Sequence, residues 1–330
     1  MSESSDLRAA RPPATLRAAM KSIGVAIVSF NTCDLLAACL GSLRRCTLPL
    51  RVVVVENAST DGSAAMVRAR FPEVELIEPG GNRGFAAGTN LALRALCAGE
   101  HPPAHLLLLN PDTIVHPGAI ETLVAFLDAH PRVGVVGPRL LNPDGTVQHA
   151  AFRFPTLLMT ALDLFPPGEA MPGRLYGSWW HGRYPQERLG DRPFPIDHPL
   201  GACILARRET LAQVGLFDEA YFMYAEEVDW CYRVRRAGWA IWQEPRARVT
   251  HVGGAATSQF RARMFVALYA SRMRFFQLWY GAAAARRHRA IIRAGMLRLT
   301  LLTWRDYANQ RITCDTLRSR LWAYGSVFHL

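Results

Sequence analysis

Five short apolar runs punctuate the first 137 residues: Ile23–Phe30, Val52–Glu56, Val74–Ile77, Leu106–Leu109 and Val133–Val136. Between them, apolar positions recur at helical spacing over Asp34–Arg45, Ser63–Arg70, Ala86–Cys97 and Ala119–Ala129. Nearly continuous apolar strands must be covered on both faces, so the alternation predicts an α/β fold with a mainly parallel sheet flanked by helices. Sheets of this kind bind ligands beyond the carboxyl ends of their strands. Polar groups cluster at those ends: Asn31-Thr32 after the first run, Glu56-Asn57 after the second and Asn110-Pro111-Asp112 after the fourth.

Beyond residue 137 the pattern changes. Asn142-Pro143-Asp144-Gly145 reads as a tight turn between Arg139–Leu141 and Thr146–His149. Residues 152–195 lose periodicity and are rich in Pro, Gly, Trp and Tyr, which predicts a long loop around Tyr176, Trp179, Trp180 and Tyr184, suited to an acceptor lid. Order returns with the apolar run Leu200–Ala206 and continues to about Val252. The expected division is a mobile leader over 1–20, a globular domain over 21–258 with halves 21–137 and 138–258, and a basic helical region over 259–330.

Composition narrows the classes. Seven scattered cysteines without a CxxC pair argue against a disulfide framework or a zinc site and favour a reducing compartment. The apolar stretch 22–30 is short and lacks a small-residue cleavage site, so it reads as a buried strand rather than a signal peptide. No segment approaches the roughly 18 apolar residues needed to cross a bilayer. A net charge of +11 invites a nucleic-acid reading, but the arginines gather after residue 260, interleaved with Phe, Leu, Trp and Tyr. A basic amphipathic helix on an anionic membrane surface accounts for that mixture, as does a helix packed on its own domain with a solvated face.

Candidate chemistry lies in a few segments. Glu226-Glu227-Val228-Asp229 places three carboxylates in one opening helical turn, more than the helix dipole requires. Such groups can hold a cation or take a proton. Asp112 can ligate Mg²⁺ or Mn²⁺ through oxygen, although Asn-Pro-Asp is also ordinary turn chemistry. The glycine-rich stretch Gly80–Gly88 opens a helix and carries Arg83, which suits an anion or, equally, close helix packing. His251, ahead of Gly253-Gly254, is a candidate metal or phosphate contact.

Taken in order, these segments resemble the inverting GT-A glycosyltransferases of family 2, in particular the bacterial rhamnosyltransferase-like branch. The matching text is Val28-Ser29-Phe30-Asn31, Val55–Ser63, Asn82–Asn90, Leu109–Asp112, Gly137–Leu140, Gly201-Ala202-Cys203, Gly215–Glu219, the acidic cluster and Thr250–Gly254, across about 22–280. The resemblance implies a Rossmann-like GT-A sheet with a C-terminal helical extension. It implies a nucleotide-sugar pocket from Ser29, Asn31, Glu56, Asn57, Asn82, Arg83, Asn110 and Asp112. It further implies a divalent ion, Mg²⁺ or Mn²⁺, at Asp112 and His251, and a base at Glu227 with Asp229 in reserve beside Glu226. Two departures stand out: Glu56 and Glu227 occupy positions where the family usually has Asp.

The expected reaction moves a sugar, L-rhamnose from dTDP-L-rhamnose or another dTDP- or UDP-sugar, to a hydroxyl of a glycan or lipid-linked glycan acceptor. The acceptor would meet Trp179, Trp180 and Tyr184, with the protein peripheral on the inner face of the cell membrane and no nucleic-acid partner. Two rivals are a sugar nucleotidyltransferase, opposed by the lack of a glycine- and arginine-rich loop after the first run, and an inactive carbohydrate- or membrane-binding relative.

Overall fold

The computed structural model describes residues 22–166, 178–254 and 257–330. The leader expected over 1–20, and Tyr176, lie outside the described residues. The described residues begin with β1 (Ile23–Ser29), α1 (Cys33–Leu43), β2 (Leu50–Glu56), α2 (Ser63–Arg70), β3 (Glu75–Ile77), α3 (Gly84–Cys97) and β4 (His105–Leu109). These strands are mutually parallel in the order β3-β2-β1-β4. The chain continues with β5 (Thr113–Val115), α4 (Ala119–Ala129) and β6 (Val133–Leu141), so all five apolar runs form strands.

The second half completes the sheet. The turn at Asn142–Gly145 joins β6 to β7 (Val147–Gln148), with the Asn142 amide donating to the Thr146 carbonyl at 2.8 Å. After β8 (Ala151–Phe152), α5 (Leu157–Leu164), α6 (Gln186–Leu189), β9 (Phe194–Pro195) and β10 (His198–Pro199) comes β11 (Cys203–Arg207). Strand β11 inserts antiparallel between β4 and β6. α7 (Arg208–Val214) and α8 (Glu226–Arg236) lead into β12 (Ala240–His251), parallel to β6 and antiparallel to β5. The result is a mixed, mainly parallel sheet, β3-β2-β1-β4-β11-β6-β12-β5.

Alternation along each strand feeds two cores. Ile23, Val25 and Ile27 of β1 pack with Leu36 and Leu40 of α1 and Leu123 of α4. Ala26 and Val28 face the opposite side, with Leu93 of α3 and Trp230 of α8. Both faces are therefore covered, as the continuous apolar runs require.

The expected loop over 152–195 is only partly a loop. Its described part holds α5, capped by Thr156, whose hydroxyl oxygen accepts from the Met159 amide at 3.2 Å, and short strands paired with β10 and β12. Pieces this short carry too few residues to show a period. The C-terminal region forms α9 (Arg261–Trp279), α10 (Gly281–Ala308) and α11 (Cys314–Phe328). Phe275 and Phe276 of α9 are buried in the second core, and Ile292 and Met296 of α10 pack with Leu164 of α5 in a third. No helix among the described residues is long and apolar enough to cross a membrane.

Candidate active site

The carboxyl ends of β1, β2 and β4 open into a cleft of about 610 Å³, lined by seven of the expected residues: Asn57, Asn82, Asn110, Asp112, Glu226, Glu227 and His251. Antiparallel β11 brings Gly201-Ala202 to the same edge, where the Asn110 amide donates to the Ala202 carbonyl at 2.9 Å. The cleft is thus assembled from segments far apart in sequence.

One wall holds Asp112 and His251. The β5–β12 pairing sets His251 opposite Thr113, which brings its ring beside Asp112. His251 Nε2 lies 3.4 Å from Asp112 Oδ1, and Asp112 Oδ2 accepts from the Gly253 amide at 3.1 Å. The other ring nitrogen, Nδ1, is 2.7 Å from Gln148 Oε1. Gln148 Nε2 donates to Asn142 Oδ1 at 3.0 Å, so its Oε1 must accept, and His251 Nδ1 carries the proton. With that tautomer, Nε2 is the nitrogen that faces the carboxylate oxygen, and a cation or a proton between the two would satisfy both. Close by, Asn110 Oδ1 is buried without a hydrogen-bond partner.

The first turn of α8 also lines the cleft. Tyr224 and Ala225 precede it at φ +69° and +62°, a left-handed conformation unfavourable for residues with a Cβ. That turn presents Glu226 and Glu227 to the cleft, and Oε2 of each is buried without a hydrogen-bond partner. Burial raises the Glu227 carboxyl above its ordinary value; burial, then the neighbouring Glu227, pushes Glu226 well above its own. Gly201 leaves space here: a Cβ on it would meet the Glu227 carboxyl carbon at 3.5 Å. A carboxylate with an unused oxygen, in the same cleft as an acid–imidazole pair, is equipped to take a proton from a bound hydroxyl.

Other expected residues lie elsewhere. Asp229 turns away from the cleft: Oδ2 accepts from Arg233 Nε at 3.0 Å and Oδ1 from Trp279 Nε1 at 2.7 Å, which makes it a lock between α8 and α9. Arg83 is exposed on the outer side of the glycine-rich turn, where its guanidinium donates to the Pro79 carbonyl at 3.4 Å. The turn instead docks on the loop before α8, the Phe85 amide donating to the Phe222 carbonyl at 2.8 Å. Both oxygens of buried Glu56 accept from the Ser59 amide, at 3.0 and 3.1 Å, and Ser29 pairs with Thr32 at 3.0 Å. Asn31 accepts from the Thr60 amide at 2.8 Å, and Asn57 accepts from the Arg83 amide at 3.0 Å. These groups shape the loops around the cleft, and of them Asn57 reaches its surface. Trp179 and Trp180 are exposed and, like Tyr184, stand outside the cleft; Trp179 carries Arg153 over its ring at 4.1 Å.

Sequence reasoning missed Gln148, Phe222, Phe260 and Arg263. Gln148 sits in the second strand of the hairpin expected around Asn142–Gly145, and Arg263 among the basic residues after 260; neither belongs to a motif that points to chemistry.

The model of the glycosyltransferase like family 2 matches residues 21–274, most of the chain and every wall of the cleft. The chain belongs to glycosyltransferase family 2. This family 2 chain is 34% identical over 210 residues to N-acetylglucosaminyl-diphospho-decaprenol L-rhamnosyltransferase of Mycobacterium tuberculosis, covering 62% of the chain and 66% of that relative. It is 28% identical over 184 residues to the low-salt glycan biosynthesis hexosyltransferase Agl10 of Haloferax volcanii, covering 56% and 53%. The chain thus spans less than two thirds of each relative's length. Its fold matches that of mannosyltransferase PcManGT from Pyrobaculum calidifontis, solved with GDP-Man and Mn²⁺, with a TM-score of 0.52 at 17% identity over 94% of this chain and 87% of that one. The architecture is the GT-A fold that the motifs imply.

Proposed function

We propose that this family 2 member is a divalent-metal-dependent inverting glycosyltransferase acting from a nucleotide sugar, dTDP-L-rhamnose, on a hydroxyl of a lipid-linked glycan. The observation that carries this reading is one cleft lined both by the Asp112–His251 pair and by the unpartnered carboxyl of Glu227. The rhamnosyl choice and the lipid-linked acceptor rest on the name of the mycobacterial relative.

Asp112 and His251 fit a divalent ion: an oxygen and an imidazole nitrogen with its tautomer fixed by Gln148, beside the unpartnered Asn110 oxygen. Among the described residues no third acidic, histidine or cysteine ligand joins them, so substrate oxygens and water would complete the set. Bound Mg²⁺ or Mn²⁺ would offset the negative charge growing on the departing nucleoside diphosphate. Glu227 takes the acceptor hydroxyl proton as that oxygen bonds to the anomeric carbon from the face opposite the diphosphate. The bond to the diphosphate breaks with its electron pair going to the leaving oxygen, and a single displacement inverts the centre. Burial and the neighbouring Glu227 favour the protonated form of Glu226, which would leave the charge of the pair on Glu227.

A lipid-linked acceptor calls for a bilayer nearby. Helix α10 exposes Leu297, Leu301 and Trp304 along one side, with exposed Arg289, Arg293 and Arg305 on the same helix, chemistry suited to an anionic membrane surface. Leu301→Asp, at 71% exposure, is expected to lower pelleting with anionic vesicles without disturbing the fold.

The test of function is the thermal stability of the protein with Mn²⁺ or Mg²⁺ and a panel of dTDP-, UDP- and GDP-sugars. A ligand at about 100 times its dissociation constant stabilises by about 2.7 kcal/mol. A metal-dependent shift with one donor, followed by product of inverted configuration, supports the proposal. No shift with any donor would replace it with a non-catalytic binding role.

A further inference from the structure

We infer that Arg263, at the start of α9, is the diphosphate-binding cation of the donor site, in place of Arg83. The inference rests on the reading of the cleft as a nucleotide-sugar site and adds the group that makes such a ligand tolerable there.

Charge is the first argument. Asp112, Glu226 and Glu227 line the cleft, and among the described residues that line it Arg263 alone is a lysine or arginine. A nucleoside diphosphate entering an acidic cleft needs positive charge beyond what one divalent ion supplies. Arg83 cannot provide it, because it lies outside the cleft on the far side of its turn.

Availability is the second. Arg263 is exposed and makes no hydrogen bond or ion pair among the described residues. Two later arginines of the same helix are committed, Arg272 to Asp163 at 2.8 Å and Arg274 to Asp218 at 2.6 Å, while Arg261 lies outside the cleft. A guanidinium left unpaired over a cleft keeps its fork of donors for phosphate oxygens.

Placement is the third. The segment that carries Arg263 is anchored before and after it, by the residues leading into α9 and by Ser271 within it. Gln259 Nε2 donates to the Asn31 carbonyl at 3.2 Å, and the Phe260 ring lies 6.1 Å from that of Phe30, at the end of β1. Further along, the Ser271 hydroxyl donates to the Met223 carbonyl at 2.9 Å, in the loop before Glu226. Residues of α9 therefore form a wall between the β1 end and the α8 turn, with Met264 and Ala267 facing the cleft beside Arg263.

Calorimetry with Mn²⁺ tests this, using UDP, dTDP, uridine and thymidine as probes on wild type, Arg263→Ala, Arg263→Lys and Arg261→Ala. Losing a charge-assisted contact should weaken diphosphate binding about ten- to a hundredfold. Arg263→Ala should do so for whichever diphosphate the wild type binds, leave the matching nucleoside unaffected, and be partly rescued by Arg263→Lys. Arg261, two residues away and outside the cleft, should be replaceable without loss. Diphosphate affinity equal to wild type in Arg263→Ala would overturn the inference while leaving the donor site standing. Failure of the wild type to bind either diphosphate would overturn the donor-site reading, and this inference with it.

Discussion

Replacing Glu226 with Gln keeps the shape of the side chain and removes its ionisable proton. Glu226 is 4% exposed, its Oε2 has no hydrogen-bond partner, and burial followed by Glu227 pushes its carboxyl well above the ordinary 4.5. The folded chain therefore keeps a proton that the unfolded chain releases near that ordinary value. Because the folded value is raised, this contribution to stability is complete below about pH 4.5 and is lost as pH rises through the folded value. Within that window one retained proton changes unfolding free energy by about 1.4 kcal/mol per pH unit. Urea unfolding of wild type and Glu226→Gln at several pH values between about 5 and 8 reads the effect of the Glu226–Glu227 pair, since groups remote from that pair cancel in the difference. Glu226→Gln should gain on wild type by up to about 1.4 kcal/mol per pH unit, levelling once the folded value is passed. A difference independent of pH, or one that shrinks as pH rises, would refute a protonated Glu226.

Gln148→Ala removes the acceptor that fixes the His251 tautomer. It should weaken Mn²⁺ binding measured with nucleotide by about 10- to 100-fold, with little loss of melting temperature. Gly84 sits at φ +78°, and a Cβ there would approach the Phe222 carbonyl oxygen to 2.5 Å, so Gly84→Ala must shift the loop before α8. A loss of about 1–3 kcal/mol in urea unfolding, with weaker donor binding, is expected.

The legible parts of the fold were those written as continuous apolar runs. Ile23–Ser29 and His105–Leu109 had to be strands buried on both faces, and Asn142–Gly145 had to turn. The antiparallel insertion of Cys203–Arg207 was not legible, because strand order arises from long-range pairing and leaves no local signature. Asp112, His251 and Glu227 were found through their motifs, and the structure brings them to one cleft. Arg83 carried the right charge on the wrong side of its turn, an orientation set when Gly84 docks against Phe222. Asp229 and Glu227 differ by two residues, about 200° around a helix, so both could not face the cleft. Only the contacts with Arg233 and Trp279 show which one does not.

The central claim is that Glu227 takes the acceptor proton in a cleft whose other wall holds the donor. Its most direct test is a comparison of donor binding and sugar transfer in wild type and Glu227→Gln with the same metal. Glu227→Gln should bind the donor within about twofold of wild type and lose at least about a thousandfold in transfer, the order expected for a general base. Transfer at the wild-type rate by Glu227→Gln would contradict the account.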